Sequence, residues 1–330
     1  MNGIESQQNT DGRNTQSQSS MIQDYQTNKV YLAEGLSHYV PVCRNLLEAL
    51  HREQIHVEFI PYTSSYKQVW ARDYMPTQLE KTLFFLYQYW PDYLLGYEGY
   101  IPNLLKIIKH LDLGRILTMT LSKDQPMVII DNLHHGRIPK ELILDGGNFV
   151  KCGDKVIMTD KIFQENNWIE RKELLSILEN YLQIQIVIIP WDRYEIFGHS
   201  DGMVQWIDGN RVLMNNYVNT DPGFRKRLLE ALTPHFVVEE LEFNTPRLNK
   251  LSWAYLNFLR VKNYIFLPGL HAMEDPLALQ QIQQFYPDCK VIQVQGCEEL
   301  ARDGGALHCI SWNIETDEPA RFSRDVPQNK

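Results

Sequence analysis

Met203-Val204-Gln205-Trp206-Ile207-Asp208-Gly209-Asn210-Arg211-Val212-Leu213-Met214-Asn215 reads as two short strands, 203–207 and 211–215, joined by a tight Asp-Gly-Asn turn. Pro222 then opens a helix over 222–232, where its missing N–H costs nothing, and 235–241 returns to strand. The same order occurs on both sides of this unit. Upstream it runs from strand 141–150 through the turn Cys152-Gly153-Asp154 to strand 155–159, helix 168–182 and strand 185–189. Downstream it runs from strand 253–259 through Val261-Lys262-Asn263 to strand 264–267, helix 276–286 and strand 290–294. The period is about 55 residues, the mark of a repeated supersecondary unit.

The chain before these units is long enough for two more. It offers a helix over 40–50 with Leu46, Leu47 and Leu50 at helical spacing, and an alternating strand 55–60 ended by Pro61. A strand at 82–88, a helix at 103–113 and a buried strand at 127–131 come next. The fold class expected is α/β (α+β): a five-bladed β/α propeller of ββαβ repeats with pseudo-fivefold symmetry. Residues 27–330 are expected to form this one domain, and 1–26, polar and low in complexity, a disordered tail. Met21 is a second possible start.

Composition narrows the function. A formal charge of −9 disfavours nucleic acid and anionic membranes as partners and favours a small cationic ligand. Five cysteines without any C-x-x-C pair suggest neither a zinc site nor a disulfide framework. No apolar run approaches the roughly 20 residues of a membrane span. No signal peptide precedes the globular part, so a cytoplasmic protein is expected, without metal or cofactor.

Polar residues recur at the same place in successive units. Asp145 opens the first, His199 and Asp201 the second, Asn257 lies in the first strand of the third, and Cys309 opens the segment after it; Asp73 holds an equivalent place earlier. In a pseudo-symmetric ring such positions converge on the axis. Singly, each has a plainer reading: Arg72 with Asp73 as a surface ion pair, 198–202 as a turn, Asp145-Gly146-Gly147-Asn148 as a hairpin turn, Asn257 as a cap for backbone groups, Cys309 as a structural thiol.

Four segments in order, Trp70-Ala71-Arg72-Asp73, Asp145-Gly146-Gly147-Asn148, Gly198-His199-Ser200-Asp201-Gly202 and Gly304-Gly305-Ala306-Leu307-His308-Cys309, resemble the guanidine-modifying pentein superfamily. Within it the likeness is to the agmatine deiminase and Porphyromonas-type peptidyl-arginine deiminase family, over about residues 31–315. The resemblance implies hydrolysis of a guanidinium C–N bond with release of ammonia. Asp73 and Asp201 would grip the N–H edges, Cys309 would attack as a thiolate favoured by the neighbouring cation, and His199 would serve as acid and base, oriented by Asp145. Trp70 and Asn257 resemble substrate-channel residues. Asp303, Ala306, Tyr74 and Met75 depart from the usual agmatine deiminase pattern.

Between Tyr74 and Leu105 there is no Arg and a single Lys, Lys81, among Glu80, Asp92 and Glu98 and many aromatics (Tyr89, Trp90, Tyr93, Tyr97, Tyr100). Such surroundings suit a substrate with a cationic tail, so agmatine, giving N-carbamoylputrescine on a putrescine route, is expected ahead of peptidyl arginine. Amidinotransfer, a non-catalytic binding module and a papain-like protease are the further alternatives. Association into a homo-oligomer is possible. His308, a strand neighbour of Cys309, is expected to point away from the site, and His38, His134 and His135 to lie at the surface.

Overall fold

The hairpins marked by the sequence form, and each is completed by a parallel third strand. The computed structural model describes residues 21–121, 126–131, 142–193 and 197–318. Strands β1 (Lys29–Ala33) and β2 (His56–Ile60) flank the helix Val40–Arg52. Next come β3 (Thr77–Glu80), β4 (Leu83–Leu86), β5 (Arg115–Leu121) and β6 (Pro126–Asp131), with the helix Leu104–Leu111 between β4 and β5. The three repeats supply β7 (Val150–Cys152), β8 (Lys155–Thr159) and β9 (Gln185–Ile189); β10 (Val204–Asp208), β11 (Arg211–Met214) and β12 (Val237–Glu240); and β13 (Leu259–Val261), β14 (Tyr264–Gly269) and β15 (Lys290–Gln295). The last strand among the described residues is β16 (Ser311–Ile314).

These make five sheets, ordered β16-β1-β2, β3-β4-β5-β6, β7-β8-β9, β10-β11-β12 and β13-β14-β15. In the three repeats the first two strands pair antiparallel and the third is parallel to the second, which requires the helix as a crossover. The remaining three-stranded sheet has the same form but is made from both ends of the chain, with β16 antiparallel to β1 at Lys29↔Ile314. That pairing closes the ring.

The helices hold the sheets by one apolar face. Val42, Cys43, Leu46, Leu47, Ala49 and Leu50 of Val40–Arg52 are buried in the largest core cluster, together with side chains from β13 and β14. Each leucine so buried stabilises by roughly 1.5–3 kcal/mol. Pro222 and Pro276 sit in the first turns of their helices, as expected of a residue without an N–H. Among the described residues no helix is long and apolar enough to cross a membrane.

Three expectations are corrected here. Residues 21–26 are not a loose tail: Met21 and Gln23 are buried, and Asp24–Gln26 forms a 3-10 turn. The Gln23 side chain donates to the carbonyls of Met21 and Gly153, which staples the segment to the β7–β8 turn. Residues 1–20 lie outside the described residues, as do His134 and His135. The strands expected at 141–150 and 253–259 begin later, because Gly146–Asn148 and Ser252–Leu256 are 3-10 turns that lead into β7 and β13.

Candidate active site

Every residue singled out from the sequence precedes the first strand of a sheet. Asp73 lies on the single-turn helix Ala71–Tyr74 before β3, and Asp145 caps the turn Gly146–Asn148 before β7. His199 and Asp201 frame the turn Ser200–Gly202 before β10, Asn257 comes after the turn Ser252–Leu256 before β13, and Cys309 lies in the turn before β16. Neighbouring turns pack on one another around the ring, so residues far apart in sequence meet at its centre.

Two pairs form the heart of the site. The Cys309 thiol donates to Asp201 Oδ2 at 3.6 Å, and His199 Nδ1 stands 3.5 Å from Asp73 Oδ1. His199 Nε2 is 3.0 Å from Asp145 Oδ2, and all five side chains are buried. Arg72 and Asp73 are not a surface pair. Arg72 is buried, its guanidinium donates to Asn313 Oδ1, and its backbone N–H donates to the Cys309 carbonyl at 3.0 Å, tying the first motif to the last.

Nor is Asp145-Gly146-Gly147-Asn148 a hairpin turn. A Cβ on Gly147 would lie 2.6 Å from His199 Nδ1 and 2.7 Å from Asp73 Oδ1, so glycine is what lets the two catalytic candidates approach. Gly304 has φ of +96°, a region glycine alone enters cheaply, and a Cβ there would strike the Phe197 ring at 1.9 Å.

Electrostatics divide the site. Burial alone would lower the His199 pKa, but the Asp73 charge and the bond to Asp145 outweigh it and push it up to about 10, so the ring is an imidazolium at neutral pH. Burial, only partly offset by His199, pushes Asp73 up to about 7. Asp201 goes the other way: despite burial, its bond to His308 holds it below the usual carboxylate value. The Cys309 thiol is driven well above its ordinary value by burial first, and then by the negative Asp201 and Asp73. In the free protein the nearby cation therefore does not hold the thiol low, contrary to the sequence expectation, because burial and then the two carboxylates outweigh it.

The neighbours of these groups bear on the remaining expectations. Asn257 is fully buried, and its Oδ1 accepts the backbone N–H groups of Ala306 at 3.0 Å and Cys309 at 3.2 Å. Its Oδ1 thus clamps the cysteine loop, as the plainer capping reading expected, while its Nδ2 is buried without a hydrogen-bond partner. Trp70 is half-buried, lies against Gly305 and has its ring 6.4 Å from that of Phe197, as a wall of the pocket would. His308 does not turn away from the site. Residues 307–310 form a turn, not a strand, so neighbouring side chains need not oppose each other, and His308 Nδ1 meets Asp201 Oδ2 at 2.6 Å. The acids expected to receive a cationic tail are mostly engaged elsewhere: Glu80 pairs with Arg115, and Glu98 accepts the Gly96 N–H.

Sequence reasoning missed Lys161, Phe197 and the role of Tyr93. Lys161, fully buried, places Nζ 3.1 Å from Asp145, 2.9 Å from Glu165 and 3.4 Å from Asp92. A lysine just after the buried strand β8, with Glu165 four residues on, was the available signal. Tyr93 donates to Asp73 Oδ2 at 3.0 Å and sets its ring edge-on to Phe197 at 4.7 Å. His38 is exposed, as expected.

Five sheets in a ring, with one polar residue set from each inner turn, define a pentein. The solved structures similar to this chain agree: the C. jejuni agmatine deiminase superposes with a TM-score of 0.66 at 16% identity, covering 89% of this chain and 95% of that one. The sequence profile of the Porphyromonas-type peptidyl-arginine deiminases matches residues 12–314, and the chain belongs to that family. A Streptococcus mutans protein provisionally named agmatine deiminase is 48% identical over 211 residues, which is 52% of this chain and 56% of that protein. A Shewanella baltica protein of the same provisional name is 26% identical over 219 residues, 54% of this chain and 59% of that protein. The chain thus spans well under two thirds of the length of these relatives.

Proposed function

We propose that this chain is a guanidine deiminase, a hydrolase of C–N bonds in linear amidines, and that Cys309 is its nucleophile. One observation carries the reading: a thiol bonded to one buried carboxylate faces a site where a second buried carboxylate meets a histidine, the four groups coming from the turns of three different sheets. A guanidinium carries two N–H edges that carboxylates bind bidentately, so Asp73 and Asp201 would hold the substrate plane. Its positive charge would neutralise the two groups that drive the thiol up, so the substrate itself would favour the thiolate.

As the cation binds, the thiol releases its proton to solvent, the proton that ammonia takes up outside the site, and the thiolate attacks the central carbon. His199, already protonated, gives its proton to the departing nitrogen, and ammonia leaves an S-alkylthiouronium on Cys309. The neutral imidazole next takes a proton from water, the hydroxide adds to the same carbon, and the C–S bond breaks to release the ureido product and the thiol. Asp145 holds His199 for both transfers.

Agmatine is the preferred substrate in this reading, in keeping with the names of the relatives and structures above. A specific feature favours the second reading, an arginine at a peptide's end. A groove of about 850 Å³ reaches Gly202 and Gly304 and is lined by Tyr217, Trp253, Lys250 and Arg302. It is larger than a butylamine tail needs, and it offers two cations to a carboxylate. Incubation with agmatine, arginine and a peptide ending in arginine, with ammonia and product masses measured, tests both. Agmatine should be preferred by at least about tenfold in kcat/KM. Faster turnover of the peptide transfers the assignment to peptidyl arginine. Transfer of the amidino group to an added amine would mark an amidinotransferase. Loss of turnover in Cys309→Ala is required in every case.

A further inference from the structure

Behind the site a second histidine backs Asp201. His308 is buried, with Nδ1 2.6 Å from Asp201 Oδ2 and Nε2 3.4 Å from Asp24 Oδ2. The other oxygen of Asp24 receives Lys151 Nζ at 2.6 Å. Asp201, His308, Asp24 and Lys151 thus form a file of carboxylates and basic groups that starts beside Cys309 and runs away from it. His308 and Asp24 also line one small cavity of about 20 Å³, with Lys151, Gln205 and Arg260. Asp24 is not placed there by chance. Thr27 Oγ1 donates to its carbonyl at 2.7 Å, and the neighbouring Gln23 both donates to Gly153 O and accepts from Gly153 N.

A carboxylate turns easily about its last bond, whose torsional preference is broad. Asp201 Oδ2 has a weak thiol donor at 3.6 Å and a strong imidazole donor at 2.6 Å, and only the second can fix the carboxylate plane. The imidazole in turn is held by Asp24, much as second carboxylates orient histidines elsewhere. We propose that His308 is a positioning residue for the reaction. Backed by Asp24, it sets the plane of Asp201 so that the carboxylate meets the guanidinium edge, which makes residues 21–27 part of the active site. The proposal rests on the reading of Asp201 as a guanidinium-binding group.

The test uses the full chain and two probes of Cys309. 2-Chloroacetamidine carries a cationic amidinium that needs Asp201, whereas iodoacetamide is neutral. The ratio of their inactivation rates, with modification at Cys309 confirmed by peptide mapping, reads the grip of Asp201 without reference to any substrate. In His308→Leu this ratio should fall at least about tenfold, with KM for the guanidine rising alongside. In His308→Asn, whose amide nitrogen can stand in for Nδ1, the ratio should stay within about threefold of the parent. Asp24→Asn should lie between. A ratio unchanged in His308→Leu, or lost equally in the Leu and Asn variants, overturns the proposal. Should His308→Leu fail to fold, an unchanged ratio in Asp24→Asn overturns it instead. A parent chain that reacts with the amidine but deiminates no guanidine refutes the functional reading and leaves the positioning role to be decided by the ratio.

Discussion

Lys161 Nζ lies 3.1 Å from Asp145 Oδ2, the same oxygen that His199 Nε2 approaches at 3.0 Å, so one buried carboxylate oxygen serves a lysine and a histidine together. Asp145 is held low because Lys161, and then His199, outweigh its burial. Glu165, against the same ammonium, is pushed up to about 8 by its own burial and by Asp145. Lys161→Met would leave Glu165 and Asp92 without their cation and Asp145 with His199 alone. Breaking a buried pair from one side costs about 3–5 kcal/mol, and a loss of this size is expected in chemical denaturation. A loss below about 1 kcal/mol would show that the lysine is dispensable to this cluster.

Asp201 has two effects of opposite sign on Cys309. It should bind the substrate's guanidinium, and its charge raises the pKa of the free thiol. Asp201→Asn is therefore expected to lower kcat/KM by at least about 30-fold while raising the rate of alkylation by neutral iodoacetamide near pH 8. An unchanged rate in that variant would mean that the thiol owes its low acidity to burial alone, and a slower one that the Asp201 charge does not hold it up.

His199 makes stability depend on alkaline pH. Its pKa is raised from 6.5 in the unfolded chain to about 10 in the fold, so the folded state binds the proton more tightly. The resulting stabilisation is complete below 6.5 and is lost as pH rises through about 10. Asp73, raised from 3.8 to about 7, works in the same direction over a lower window. Thermal denaturation should show the parent chain losing stability between pH 7 and 10, and His199→Asn should show a shallower decline. Parallel curves would remove His199 as the cause.

Asn257 separates a loop clamp from a channel residue. Asn257→Ala leaves the N–H groups of Ala306 and Cys309 without their acceptor, at a cost of about 1–3 kcal/mol each if they stay unpaired. Lower stability and a lower kcat with KM nearly unchanged are expected, since the cysteine loop loosens while Asp73 and Asp201 remain. A selective rise in KM at full stability would favour the channel role that the sequence suggested.

What the sequence determined by itself was whatever contiguous residues encode. Asp208-Gly209-Asn210 and its counterparts mark hairpins, Leu46, Leu47 and Leu50 mark a helix face, and the repeat spacing places Asp73, Asp145, His199, Asp201, Asn257 and Cys309 at equivalent positions. Turn chemistry and side-chain periodicity act within a few residues, so they are readable in order along the chain. Only the tertiary structure decided which buried groups became partners. His308 stands next to Cys309 in sequence, yet its bonds go to Asp201, 107 residues away, and Asp24, 284 residues away. Neither distance has a local signal, because both contacts exist only once β16 has paired with β1 and closed the ring. Lys161 is a similar case: a buried ammonium is stable only where carboxylates from other segments surround it, and Asp92 and Asp145 reach it through the packing of separate sheets.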